Sequence, residues 1–444
     1  MTLTTRFAVP VSVAALVAAS LPVLSGSGVA VAAAPSAAAA PASVAAALPA
    51  AAAPQREMRA LWVNGFNEGM LSKAQVTTLV STAKQAGVNT LIVQATRRQD
   101  CLCNKSILPR ATGTGPASYD PLAEVIAQAH RNGIQVHAWV TVGKMWSGTK
   151  APAARAHVYN THGPKAKGAA RWLDRRRDGT EIVGGTSFVD LGNPAVQSHI
   201  VATVDSLQRN YKIDGVNLDY IRYPDHTSSD EYNDWGYSAT SLARFRAATG
   251  RTGTPLPDDP QFSQWRRDQV TAVVRRVHTA MQRRDKNDRL SVNAITYDAG
   301  PGATSDWSKT RPYKNVLQDV PRWARAGIID TVVAMNYRSV SVPGQSDYYT
   351  QWLQGLRAVE RTTGRHTVSG NALWINTLPQ SVAQINEARR YGIDWAGYAY
   401  NGLAYAGMYK TRAAERSAFI TTMRQGPFKT NALIPTMPWK AATK

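Results

Sequence analysis

The sequence predicts an α/β protein, a TIM-type (β/α)8 barrel with long loops after its third and fourth strands. Three observations lead there. Short apolar runs alternate with helix-patterned stretches, and this alternation implies a parallel sheet with right-handed crossovers. There are eight such units, which favours a closed barrel over an open doubly wound sheet. No glycine-rich phosphate loop follows the first run, which argues against a nucleotide-binding sheet.

The elements follow in order. The apolar runs lie at 59–64, 90–95, 135–142, 214–221, 289–295, 330–337, 366–373 and 395–400. Helical patterning fits 72–86, 120–132, 194–210, 238–249, 261–285, 316–326, 348–361, 380–391 and 411–424. In the first helix Val76, Leu79, Val80 and Ala83 share a face and Gly87 is the stop signal; Gly133 ends the second. The long insertions, 144–191 and 223–263, both fall at strand C-termini, where barrel loops build sites. The barrel is assigned to 56–427 and a C-terminal tail to 428–444.

Residues 1–34 read as a secretory signal: Arg6 is the only charge, an apolar run follows, and Ala30-Val31-Ala32 offers a cleavage site. Residues 35–55 form an Ala/Pro-rich spacer without a packing pattern. A secreted or cell-wall-associated protein is expected, with no membrane association after cleavage. The 444 residues are 44% hydrophobic and 18% charged, which excludes wholesale disorder, collagen and coiled coil. Two cysteines exclude a disulfide scaffold and a Cys-based zinc cluster; Cys101 and Cys103 could bond or stay reduced. The net charge of +21 suits an anionic partner. Nucleic acid has no motif to support it, and neither a metal nor a cofactor is expected.

Strands of a parallel barrel should be almost uniformly apolar. These carry Asn64, Gln94, His137, Asn217, Asp219, Asn293, Asn336 and Asn371 instead. Alternation points Val136, Ala138 and Val140 at the helices and His137, Trp139 and Thr141 into the barrel; likewise Val216 and Leu218 face out, Asn217 and Asp219 in. Buried polar groups without partners cost about 1–3 kcal/mol each, so the pattern marks a polar binding site. Asp219, near the end of the fourth strand, could be nucleophile, base or metal ligand, with metal the weakest because no second ligand lies close by. Arg222 is expected to hold it ionised. Trp139, Trp374, Tyr223, Tyr337 and Tyr400 fall at or near strand ends and could stack on sugar rings, while Trp62 and Tyr398 read as core padding.

These motifs resemble glycosyl-hydrolase-like family 10. Arg59-Ala60-Leu61-Trp62-Val63 is similar to its opening strand. Gln94 with Arg97, Arg98 and Asp100 resembles the next block, and Val136-His137-Ala138-Trp139 the one after. The most specific likeness is Asp219-Tyr220-Ile221-Arg222-Tyr223-Pro224, and Ala334-Met335-Asn336-Tyr337 continues it. Two departures stand out: Tyr220 replaces a second Asp common in relatives, and Gln99 replaces a Gly. The resemblance implies hydrolysis of a glycosidic bond in a polysaccharide, with peptidoglycan as one substrate class. Such hydrolysis needs two carboxyl groups. Asp219 is the expected nucleophile or base; Asp298 and Glu231 are the candidate proton donors, with Asp100 third, which could instead hold Arg97 or Arg98 in place. A monomer is expected. The alternative is a noncatalytic glycan-binding barrel at the cell wall.

Overall fold

The structure, a computed structural model, describes residues 55–441. The expected signal and all but the last residue of the spacer lie outside the described residues.

Eight parallel strands close into a barrel. They are β1 (Arg59–Val63), β2 (Thr90–Thr96), β3 (Gln135–Thr141), β4 (Gly215–Asp219), β5 (Arg289–Ala294), β6 (Thr331–Ala334), β7 (His366–Ala372) and β8 (Asp394–Tyr398). Each strand pairs with its sequence neighbours, and β8 returns to β1 in the register Arg59↔Trp395. The helices that cover them are α1 (Lys73–Ala86), α2 (Pro121–Arg131), α3 (Pro194–Asn210), α4 (Ala239–Thr249), α5 (Pro260–Arg284), α6 (Val320–Arg325), α7 (Gln345–Thr363), α8 (Leu378–Arg390) and α9 (Arg412–Gln425).

Local sequence sets these boundaries. Asp120, Asn193 and Asp259 cap their helices through side-chain oxygens, each followed by proline in the first turn. Thr377 and Gln380 form a reciprocal capping box ahead of α8. Gly87 ends α1 at φ 77°, a left-handed conformation that favours glycine. The helix expected at 316–326 is shorter, because Asp319 caps it only at Val320 and Leu317 sits at φ 59°. The insertion after β3 holds a small antiparallel sheet (Lys144–Ser147, Thr186–Phe188, Ile182–Val183) that the hydrophobic pattern did not announce.

The strands alternate as expected. Val136, Ala138, Val140, Val216 and Leu218 join the core shared with the helices, whereas Trp62, Ile92, Trp139, Val333 and Val368 form a second core inside the barrel. Trp62 is fully buried there. It lies against β7 at Gly370, where a Cβ would come within 2.6 Å of the indole. The segment 428–441 crosses the N-terminal end of the barrel. Phe428 packs on Trp395 with the Arg59 guanidinium 4.6 Å from its ring, Arg289 donates to the Pro435 carbonyl, and Trp439 Nε1 donates to Asp330 at 2.7 Å. Cys101 and Cys103 are joined by a disulfide. Among the described residues no helix is long and apolar enough to cross a membrane.

Candidate active site

A cavity of about 570 Å³ opens at the C-terminal mouth of the barrel. Its aromatic wall is Trp62, Trp139, Tyr337 and Tyr398, with Tyr337 and Tyr398 stacked at 5.2 Å and Trp62 edge-on to both. Asn64, Gln94, Asn293 and Thr141 supply neutral polar groups, and Arg97, Arg98, Lys144, Arg222 and Arg338 supply charge. The carboxylates among the lining residues are Asp219 and Asp225.

Asp219 ends β4 opposite Thr141 of β3. Its Oδ2 accepts from Trp139 Nε1 at 2.9 Å and its Oδ1 from the Tyr220 amide at 2.8 Å, where the backbone turns through φ 50°. Burial pushes the Asp219 pKa up and outweighs Arg222, the Tyr220 amide and the Trp139 indole, which favour the anion. Arg222 acts on Asp219 in the direction expected from the sequence, but burial outweighs it and the net shift is upward. The ion pair of Arg222 is with Asp225, at 3.3 Å. Burial also works against the charge of Asp225, but Arg222 and the Tyr297 hydroxyl, 2.5 Å away, hold it well below the usual carboxylate range. Two carboxyls on one cavity wall are thus driven in opposite directions, a division that separates acid from anion in paired-carboxylate sites.

Of the residues singled out from sequence, the cavity gathers Asn64, Gln94, Arg97, Arg98, Trp139, Asp219, Arg222, Asn293 and Tyr337. Asp100 stands behind this wall and pairs with Arg97 at 3.1 Å. His137 lies deeper in the barrel, where burial and Arg289 lower its pKa to about 3. Asn217 bonds Ser291 beneath the floor. Asn336 donates to the Tyr349 carbonyl, and Asn371 bonds Gln384, so both belong to a polar network between barrel and helices. Tyr223 is fully buried beside Arg266. Trp374 lines an adjoining cavity of about 520 Å³, and Tyr400 packs outside the mouth near Arg412. Asp298 is on the rim, its side chain 63% exposed and paired with Arg311; Glu231 is exposed on the loop after β4.

Sequence reasoning assigned no site role to Lys144, Tyr220, Asp225, Tyr297 and Arg338; Lys144 opens the small antiparallel sheet and the other four lie in loops after barrel strands. Asp225 directly follows the Asp219–Pro224 motif, and Tyr297 directly precedes Asp298, so proximity to a strand end was the available signal. Tyr398 and Trp62, read as padding, line the cavity as well as filling the core.

The family model for glycosyl hydrolase-like 10 matches residues 57–370. The chain belongs to this family. It is 22% identical over 305 residues to the glycosyl hydrolase YngK of Bacillus subtilis (strain 168), covering 64% of this chain and 55% of that protein. It is 24% identical over 273 residues to the glycosyl hydrolase DigH of Escherichia coli (strain K12), covering 57% of this chain and 55% of that protein. The chain thus spans about half the length of these relatives. Its fold is similar to the glycoside hydrolase domain of PgaB (BpsB) from Bordetella bronchiseptica, with a TM-score of 0.54 at 15% identity over 82% of this chain and 99% of that domain.

Proposed function

We propose that this chain is a secreted, monomeric glycosidase that hydrolyses O-glycosidic bonds of a cell-wall polysaccharide, with peptidoglycan glycan strands the first substrate to test. One observation carries the reading: Asp219 and Asp225 share a cavity walled by aromatic rings and cations, at the end of the barrel where such folds do chemistry. Family membership supports the same reaction class.

The two carboxyls take different parts. Asp219, whose proton burial favours, donates it to the glycosidic oxygen as the bond to the anomeric carbon breaks. Asp225, ionised beside Arg222, either attacks that carbon or removes a proton from the water that does. The aromatic wall stacks on the apolar faces of sugar rings, and Asn64, Gln94 and Asn293 bond hydroxyls. This departs from the sequence expectation in giving Asp219 the proton and in replacing Asp298 and Glu231 by Asp225.

The test is incubation of the wild type and of Asp219→Asn with purified peptidoglycan, with and without its stem peptides, followed by mass spectrometry of soluble fragments. Fragments from the wild type alone support the proposal. No fragments from either, with glycan binding retained by both, would favour the noncatalytic binding barrel.

A further inference from the structure

The cavity is unevenly charged. Arg97 is matched by Asp100 at 3.1 Å and Arg222 by Asp225 at 3.3 Å. Arg98, Lys144 and Arg338 are not matched in this way, though Arg338 gives its Nη2 to the backbone carbonyls of Thr296 and Asp298. Arg98 donates to the Ser147 carbonyl at 2.8 Å and leans on the Trp146 ring at 4.4 Å, while its Nε is buried without a partner. The nearest acid to it, Asp100, accepts from its backbone amide but spends both oxygens on Arg97. Lys144 has no hydrogen bond or ion pair through Nζ among the described residues, and it rests 4.7 Å from the Tyr220 ring. Tyr220 directly follows Asp219, and Lys144, Arg98 and Asp219 line the same cavity.

The other side of the mouth is different. The adjoining cavity shares Asn64 and Tyr398 with the first and is lined by Asn67, Asn401, Trp374 and Tyr405; its one cation, Arg412, is paired with Glu415. A ligand spanning both would therefore meet neutral, aromatic groups at one end and unmatched positive charge at the other. Positive charge held on a partly desolvated aromatic wall is costly unless an anion meets it.

We propose that Lys144 and Arg98 form an acid-binding subsite, which takes the carboxylate of an acidic sugar unit bound next to the bond that Asp219 and Asp225 act on. The position of that bond rests on the glycosidase reading; the charge preference does not.

Calorimetry on the Asp219→Asn protein tests the binding, with three probes: peptidoglycan glycan strands freed of stem peptides, the same strands with carboxyl groups amidated, and dextran sulfate. The expected result is at least tenfold tighter binding of the acidic than of the amidated strands, weakening with salt. Adding Lys144→Met closes that gap and Lys144→Arg restores it, with melting curves confirming that each variant folds. Equal affinity for both strands, or equal weakening of both by Lys144→Met, overturns the subsite. Dextran sulfate bound as tightly, and weakened as much by Lys144→Met, overturns the carboxylate assignment in favour of a general polyanion surface. Wild-type hydrolysis of both strands without discrimination would sink the subsite and leave the glycosidase standing. Charge-selective binding without hydrolysis would do the reverse.

Discussion

The indole of Trp139 donates to Oδ2 of Asp219 at 2.9 Å, so one barrel strand holds the carboxyl that its neighbour presents. Both side chains point inward because strand alternation puts them there, and the parallel register of β3 and β4 brings the indole within reach of the carboxyl. The bond fixes the carboxyl's orientation and tempers the effect of burial on its proton affinity.

Replacing that indole is the sharpest test of the acid role. Trp139→Phe keeps a ring in the inner core and deletes one interaction that favours the anion. The Asp219 pKa, already raised, rises further. If Asp219 must carry a proton, activity is lost as pH climbs through its pKa, so the descending limb of kcat/KM moves to higher pH in the variant. Parallel pH–rate series decide this; a limb that stays put belongs to another group.

Asp225 separates the present assignment from the one read off the sequence. Asp225→Asn and Asp219→Asn should each lower kcat by roughly 10²–10⁴-fold. Asp298→Asn and Glu231→Gln should change it by less than about tenfold, since both side chains lie outside the cavity lining. Steady-state kinetics on released fragments gives all four values.

A structural carboxylate makes an independent pH prediction. Burial, reinforced by Asp190, raises the pKa of Asp174 well above the ordinary range, while its Oδ1 accepts from the amides of Arg175 and Gly236. A raised folded-state pKa gives stability that is fully present below the unfolded value of about 3.9 and is lost as pH rises through the folded one. Asp174→Asn should therefore melt higher than the wild type at pH 8 and close to it at pH 4. Calorimetric melting at the two pH values checks the sign.

At the opposite end of the barrel, Phe428 is fully buried against Trp395, between Arg59 and Arg389. Phe428→Ala should cost about 3–5 kcal/mol of stability, as aromatic truncations in cores do. KM should stay unchanged at temperatures where the variant is folded. Denaturant unfolding and kinetics together distinguish this from a role in the site.

Much of the architecture was legible because alternation and capping are local. Gly87 and Gly133 announced helix ends, and the inward direction of Trp139 and Asp219 followed from strand geometry alone. The site was legible only where it lies on strands. Asp225 and Tyr297 are brought to the mouth by loops whose course depends on long-range contacts, such as Asn233 donating to the Asn315 carbonyl, and Lys144 by a small sheet whose partner strand comes much later in the chain, in the register Lys144↔Phe188. Nor does every polar strand residue face the site: Asn293 points into the barrel, whereas Asn371, three positions from the inward Val368, faces the helices, where Gln384 of α8 satisfies it.

The pairing of β1 with β8 also joins strands from opposite ends of the barrel sequence. Until the eighth strand arrives, the growing sheet keeps two unpaired edges, and β1 waits for a partner from the far end of the chain. Parallel pairing across such separations makes assembly slow and leaves those edges open to other chains meanwhile. Phe428 meets both Trp395 and the Arg59 guanidinium where β8 lies beside β1, so the seal across the base rests on the closed ring. The last-made part of the described chain thus acts as a latch on a ring that its first strand began.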